Sequence, residues 1–208
     1  DESESRGLGD VYKRQAQGSS DVAIYICPTG SSNVTIKIAT DTGFAQPATA
    51  AVFNDNKWHH VVATWNGSLL SIYTDNDISN PNTASLSGTI SYNTTTYPKA
   101  FIGTNPKAVG SFFQGNVSNF QIFNNALTTA NVTSLYNNGS PLTDMSSFTS
   151  LLNWYKLDNL TTGIEDSKGT QDGTNSGAVE AVGSVSTLNG LSSGMTQANL
   201  VQSDLQTV

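Results

Sequence analysis

The sequence predicts an all-β protein built from two facing antiparallel sheets, with one short helix and a poorly ordered C-terminal tail. Three observations predict it. Apolar residues recur at every second position in several short runs, the period of a strand with one buried face. The runs are separated by clusters of Gly, Asn, Asp, Ser and Thr, the residues that close turns. Only 12% of the 208 residues are charged, too few to clothe the solvent faces of long helices.

In chain order, Val22, Ile24 and Ile26 share one face of a strand over residues 21–27, and Pro28-Thr29-Gly30 turns the chain. Val34, Ile36 and Ile38 alternate with Thr35 and Lys37 in the next strand. Ala48 to Phe53 is a weaker strand, followed by the polar loop Asn54-Asp55-Asn56. Lys57 to Trp65 is β-prone on both faces, then Asn66-Gly67 leads into Ser68 to Thr74. Asn-Gly between two strands is a strong hairpin signal, because a type I′ turn needs positive φ at both central positions. Later strands are expected over Gly88–Tyr92, Lys99–Gly103 and Val117–Phe123.

A short helix is expected from Thr128 to Asn137, with Thr128 as N-cap, Val132, Leu135 and Tyr136 as its apolar stripe and Gly139 closing the C-terminus. Ser140 to Ser150 reads as a polar linker and Leu151 to Leu157 as one more strand. The alternation places Val34, Ile36, Ile38, Trp58, Ile72, Phe101 and Phe123 in the core.

Composition narrows the function classes. A net charge of −7 opposes nucleic acid, whose phosphates need a basic face. There is no polybasic membrane patch and no apolar run near the ~18 residues that span a bilayer. The single cysteine, Cys27, excludes an intramolecular disulfide and sits in an apolar run, as a small buried hydrophobe does.

The opening fifteen residues have no periodicity. Their end, Asp10-Val11-Tyr12-Lys13-Arg14-Gln15, resembles the translation of a transposase adapter used to build sequencing libraries. Residues 1–15 are accordingly expected to be adapter-derived and to stand outside the fold, in a gene of environmental origin cut off upstream.

Residues 54–137 carry a family resemblance in five pieces, in order. These are Lys57-Trp58-His59-His60-Val61-Val62; Gly67 to Asp75; Phe101-Ile102-Gly103; Phe113 to Phe123, with its Gly115-Asn116-Val117; and Asn125-Ala126-Leu127-Thr128. Together they resemble the laminin-G-like jelly-roll domains of the concanavalin-A-like lectin and glucanase superfamily. The resemblance implies a jelly-roll sandwich over residues 16–140. In some members a sandwich rim binds calcium through acidic positions, which would fall on Asp75 and Asp77 here. The chain departs from the pattern at both acidic places: Ser118-Asn119 stands where an Asp is usual, and Asp75-Asn76-Asp77 replaces Asp-Gly.

Catalysis finds little support. Glycoside hydrolysis usually needs two facing carboxylates, yet there is no glutamate between residues 16 and 164, so the glucanase Glu-x-Asp-x-x-Glu strand is missing. His59 and His60, adjacent on a strand, would point to opposite faces and so cannot hold one ion together. Asp75-x-Asp77-x-Ser79 opens like an EF-hand loop, but Asn80 and Leu86 occupy the positions that need Gly and Glu. Sugar binding is the better expectation: Trp65, Tyr73, Tyr92 and Tyr97 lie on strands or adjoining loops among many Asn and Thr, and sugars stack on exposed aromatic faces.

The expected protein is thus a non-catalytic recognition or adhesion module, binding a glycan or cell-surface polysaccharide, at an extracellular or virion surface. It would neighbour further laminin-G-like modules, without nucleic-acid or membrane partners. A purely structural repeat of a phage tail or fibre, or an accessory domain of a glycoside hydrolase, are the alternatives. Residues 141–182 form a linker and the opening strand of a following module. Alternatively, Leu151 to Leu157 completes the first sandwich, whose own first strand is missing. Residues 183–208 are a flexible connector.

Overall fold

The computed structural model describes residues 11–13, 24–28, 33–49, 55, 57–90, 101–103 and 115–179. The first sheet contains β1 (Val11–Lys13), β2 (Ile24–Pro28), β3 (Val34–Thr40), β4 (Gly43–Ala45) and β8 (Phe101–Ile102), in the order β4-β3-β2-β1-β8. The second contains β5 (Val61–Trp65), β6 (Leu69–Thr74) and β7 (Asn82–Ser85), in that order. β9 (Phe120–Phe123) and β10 (Leu151–Tyr155) form a separate antiparallel pair, and the α-helix α1 spans Thr129–Tyr136.

Period-two patterning builds the main core. Val34, Ile36 and Ile38 of β3 face Leu70 and Ile72 of β6, with Ala45 and Leu86 between them. Val61, Ala63 and Trp65 of β5 pack against the same cluster. Leu70 and Ile72 are almost fully buried, each stabilising the fold by about 1.5–3 kcal/mol on apolar area. β6 is covered on both faces, because its opposite side carries Tyr73, which packs with Val62 and with Val132 of α1. The helix also sends Leu135 into a second cluster with Met145, Phe148, Leu151 and Trp154, flanked by Phe123. One short helix therefore joins the sandwich to the β9–β10 pair.

Local chemistry explains the helix ends. Thr128 accepts a hydrogen bond from the Asn131 backbone, while the Asn131 side chain accepts from the Thr128 backbone, a capping box with asparagine in place of glutamate. The C-terminus differs from expectation. Asn137, not Gly139, is the C-cap, in the left-handed region at φ 43°, which asparagine tolerates.

The turn after β5 also differs. Trp65 pairs with Leu70 and the Asn66 N–H donates to the Leu69 carbonyl, so the central residues are Gly67 and Ser68, with positive φ only at Gly67. That is the pattern of a type II′ turn rather than I′. The Asn66 side chain selects it by accepting from the backbone N–H groups of both Ser68 and Leu69. The two-residue shift keeps every side chain on its expected face, since the strand period is two.

Several expectations are corrected. Val11–Lys13 lies between β2 and β8 rather than outside the fold; ladder hydrogen bonds are backbone-made, so a short β-prone segment of any origin can occupy an open strand edge. Of the strand expected over Gly88–Tyr92, residues 88–90 are not in a strand and the rest lies outside the described residues; β7 at Asn82–Ser85 pairs with β6 instead. Gly88 itself is a turn residue at φ 102°, where a Cβ would collide with the Asp41, Thr40 and Thr42 side chains. β4 was not anticipated. Of the strand expected over Ala48–Phe53, the described part is a bridge from Ala48 to Thr35 and the Thr49 N–H donating to the Val34 carbonyl, and residues 50–53 lie outside the described residues.

The supposed linker after Ser140 contributes Met145 and Phe148 to the second cluster. Its few apolar residues are spaced for a folded-over loop, not for a period that reads as a strand or helix. Trp58 is 57% exposed rather than in the core, because β5 starts only at Val61 and residues 58–60 are irregular. The Phe101 side chain and residues 183–208 lie outside the described residues.

β10 pairs antiparallel with β9, Tyr155 opposite Phe120 and Leu151 opposite Phe123. The strand after the linker is therefore bound to the sandwich-bearing part of the chain. Behind it, Asp166 is buried and accepts hydrogen bonds from the backbone N–H groups of Trp154, Lys168 and Gly169 and from the Asn153 amide. Burial opposes its charge, but these donors outweigh that cost and hold its pKa at about 2.

Candidate functional site

At the end of β6 the chain turns sharply. Asp75 and Asn76 both have positive φ, 50° and 64°, and the Asp77 N–H donates to the Thr74 carbonyl. Asn76 thus supplies the left-handed residue for which Asp-Gly hairpins use glycine. Its side-chain oxygen accepts from the Thr133 hydroxyl of α1 over 2.8 Å, fixing the turn to the helix.

Beside this turn is a shallow cleft of about 160 Å³. Thr49, Thr74, Asp75, Asp77, Asn80 and Asn82 line it, over Ile72. The next loop caps itself: an Asp77 carboxylate oxygen accepts from the Ser79 and Asn80 N–H groups. The Asn82 amide donates to the Ala48 carbonyl across to the chain that runs beside β3. The cleft wall therefore consists of hydroxyls, amides and carboxylates in positions set by backbone contacts.

His59 ties the neighbouring loop to the cleft. Its Nδ1 lies 2.7 Å from Asp75 Oδ2 and its Nε2 2.9 Å from Asp55 Oδ1. A neutral imidazole donates through one nitrogen only, so two carboxylate partners favour the doubly protonated ring. Burial opposes that charge, yet the bonds to Asp75 and Asp55 raise the His59 pKa above its ordinary value. Asp55 is correspondingly held at about 2, chiefly by the His59 bond. The His60 N–H donates to the other Asp75 oxygen over 2.8 Å, while burial lowers the pKa of the His60 ring, which lies 5.7 Å from that of Tyr136.

The expected site residues fall in different places. Trp65 is half-buried on the inner face of β5, and its indole N–H donates to the Leu86 carbonyl. Tyr73 is buried beneath α1, without a free ring face for stacking. Tyr92 and Tyr97 lie outside the described residues. Asp75 and Asp77 do come together, in the cleft. Both Asp75 oxygens take part in hydrogen bonds, one with the His59 imidazole and the other accepting from the His60 N–H. Among the described residues no group of three or more His, Cys, Asp or Glu is arranged to hold a metal.

Trp58, like Phe44 on β4, is an exposed aromatic that sequence reasoning missed. It sits on the loop that His59 fastens to Asp75, so the indole belongs to the loop bordering the cleft. The signal was its neighbourhood: Asn54 to Lys57 is polar, which argues for a loop running up to Trp58 rather than a strand through it.

Residues 7–133, more than half of the chain, match the family model Laminin_G_3, described as the concanavalin A-like lectin/glucanases superfamily. No curated protein matches the chain.

Proposed function

The chain belongs to the concanavalin A-like lectin/glucanases superfamily, and on that premise we propose that it is a non-catalytic recognition module binding carbohydrate in the cleft beside Asp75. The observation that carries this reading is the cleft's lining of hydroxyls and amides; the exposed Trp58, next in sequence to the His59 that bonds the lining residue Asp75, offers an indole in addition. Saccharide hydroxyls exchange hydrogen bonds with such groups, and a sugar's C–H face stacks on an indole. Hydrolysis is disfavoured by the residues: the cleft holds no glutamate, and Asp75 and Asp77 are both engaged by nearby N–H groups. A glycan array on the full chain, repeated with Trp58→Ala, tests the reading. Reproducible binding weakened at least tenfold by the substitution is expected, and silence across the array sinks it.

A structural role is the second reading, favoured by β10, which pairs with β9, and by the Asp166-bound loop, which extend the folded region past the family match. In that reading the chain is a repeat module of a phage tail or fibre. β10 completes the first sandwich, neighbouring modules are its partners, and an extracellular or virion surface is its setting. An accessory role beside a glycoside hydrolase would use the same cleft. The adapter-like string at residues 10–15 fits an environmental source.

A further inference from the structure

We infer that the cleft selects its ligand by charge: it takes neutral or amine-bearing saccharide units and rejects sulfated or uronic ones. This rests on the carbohydrate reading above and adds the chemical class.

Two carboxylates, Asp75 and Asp77, stand in a lining that also presents the amides of Asn80 and Asn82, the hydroxyls of Thr49 and Thr74 and the apolar Ile72. Among the described residues no lysine or arginine lines the cleft. The two charges differ in their compensation. Asp75 is neutralised by the imidazole of His59. Asp77 has only neutral donors, the N–H groups of Ser79 and Asn80 and the Asn80 amide. The wall therefore carries one carboxylate with no counter-ion among its described contacts. Like charges brought together in a partly enclosed cleft repel strongly, while an ammonium placed there gains an ion pair. The whole chain, at −7, adds a repulsive background for polyanions at low salt.

The neutral lining makes hydrogen bonding possible without any charge on the ligand. Asn and Thr side chains donate and accept, as ring hydroxyls do. Charge then sets the ranking within saccharides of one backbone, and Asp77 is the specificity-determining residue.

The test measures binding of the full chain to three oligosaccharide probes of equal length: chitosan oligomers, chitin oligomers and heparin-derived oligomers. Calorimetry is run near pH 5.5 and at low salt, where the chitosan amines carry charge and screening is weak. The expected order is chitosan first, chitin second and heparin weakest. Asp77→Asn retains the turn, since an amide oxygen can still accept from Ser79 and Asn80. It is expected to weaken chitosan about tenfold while leaving chitin within about twofold, the size of one ion pair. Asn80→Lys should shift the preference toward heparin. Heparin binding tightest in the parent chain, or a chitosan preference unchanged in Asp77→Asn, overturns the inference while leaving carbohydrate binding intact. Silence with all three probes and on the wider array would take the carbohydrate reading down with it.

Discussion

The imidazole of His59 stands between two carboxylates, 2.7 Å from Asp75 at the end of β6 and 2.9 Å from Asp55 on the preceding loop. Its raised pKa means that the folded state holds the proton more tightly than the unfolded chain. The resulting stability is present in full below the ordinary value of 6.5 and is lost as pH rises through the raised folded value. The half-buried His60, with a lowered pKa, works in the opposite sense, so the effect is read as a difference. The urea midpoint of the parent minus that of His59→Gln should shrink as pH rises above about 6.5. A difference that stays flat or grows would refute the bridge.

The exposed Trp58 and the buried Leu70 should respond oppositely to truncation. Trp58→Ala, at an exposed site, should cost less than about 1 kcal/mol of stability while weakening glycan binding. Leu70→Ala, in the fully buried inner face of β6, should cost about 2–5 kcal/mol. Urea unfolding of both variants checks the pair, and a costly Trp58→Ala would return that residue to the core.

Asp166 gathers the residues that follow β10. Asp166→Ala leaves the Trp154, Lys168 and Gly169 N–H groups without their acceptor and should cost about 2–4 kcal/mol locally. Hydrogen exchange should show slow amides from Leu151 to Tyr155 in the parent, as their pairing with β9 requires, and faster exchange around Trp154 in the variant. With a folded pKa of about 2 against the ordinary 3.8, the contribution of Asp166 holds above about pH 4 and fades as pH falls toward 2.

Hydrolase activity is expected to be absent on laminarin, agar, carrageenan and alginate, with calcium supplied. Turnover abolished by Asp75→Asn or Asp77→Asn would contradict the non-catalytic reading.

Much was legible in the sequence, for reasons that are local. Alternation in Val34-Thr35-Ile36-Lys37-Ile38 fixes which side of β3 is buried, because successive side chains must point to opposite faces. Thr128 and Asn131 define a helix start by chemistry complete within four residues. The turn residues near Gly67 marked the hairpin, although the choice of central pair depended on the hydrogen bonds of Asn66.

Tertiary structure decided what alternation leaves open: where a strand begins and what covers each face. Trp58 and Trp65 lie seven positions apart and so have opposite parity. Trp65 meets the sandwich interior, whereas Trp58 falls before β5 starts and remains exposed. Tyr73 read as an exposed aromatic until α1 closed over it through Val132. Asp75 meets the His59 side chain and the His60 backbone, partners that strand alternation does not foretell. The cleft joins Thr49 to Thr74, Asn80 and Asn82 across strands from different parts of the chain, a juxtaposition that no period along one strand encodes. Local sequence specifies the direction in which a side chain points, and only the packed neighbour determines whether that direction leads to protein or to solvent.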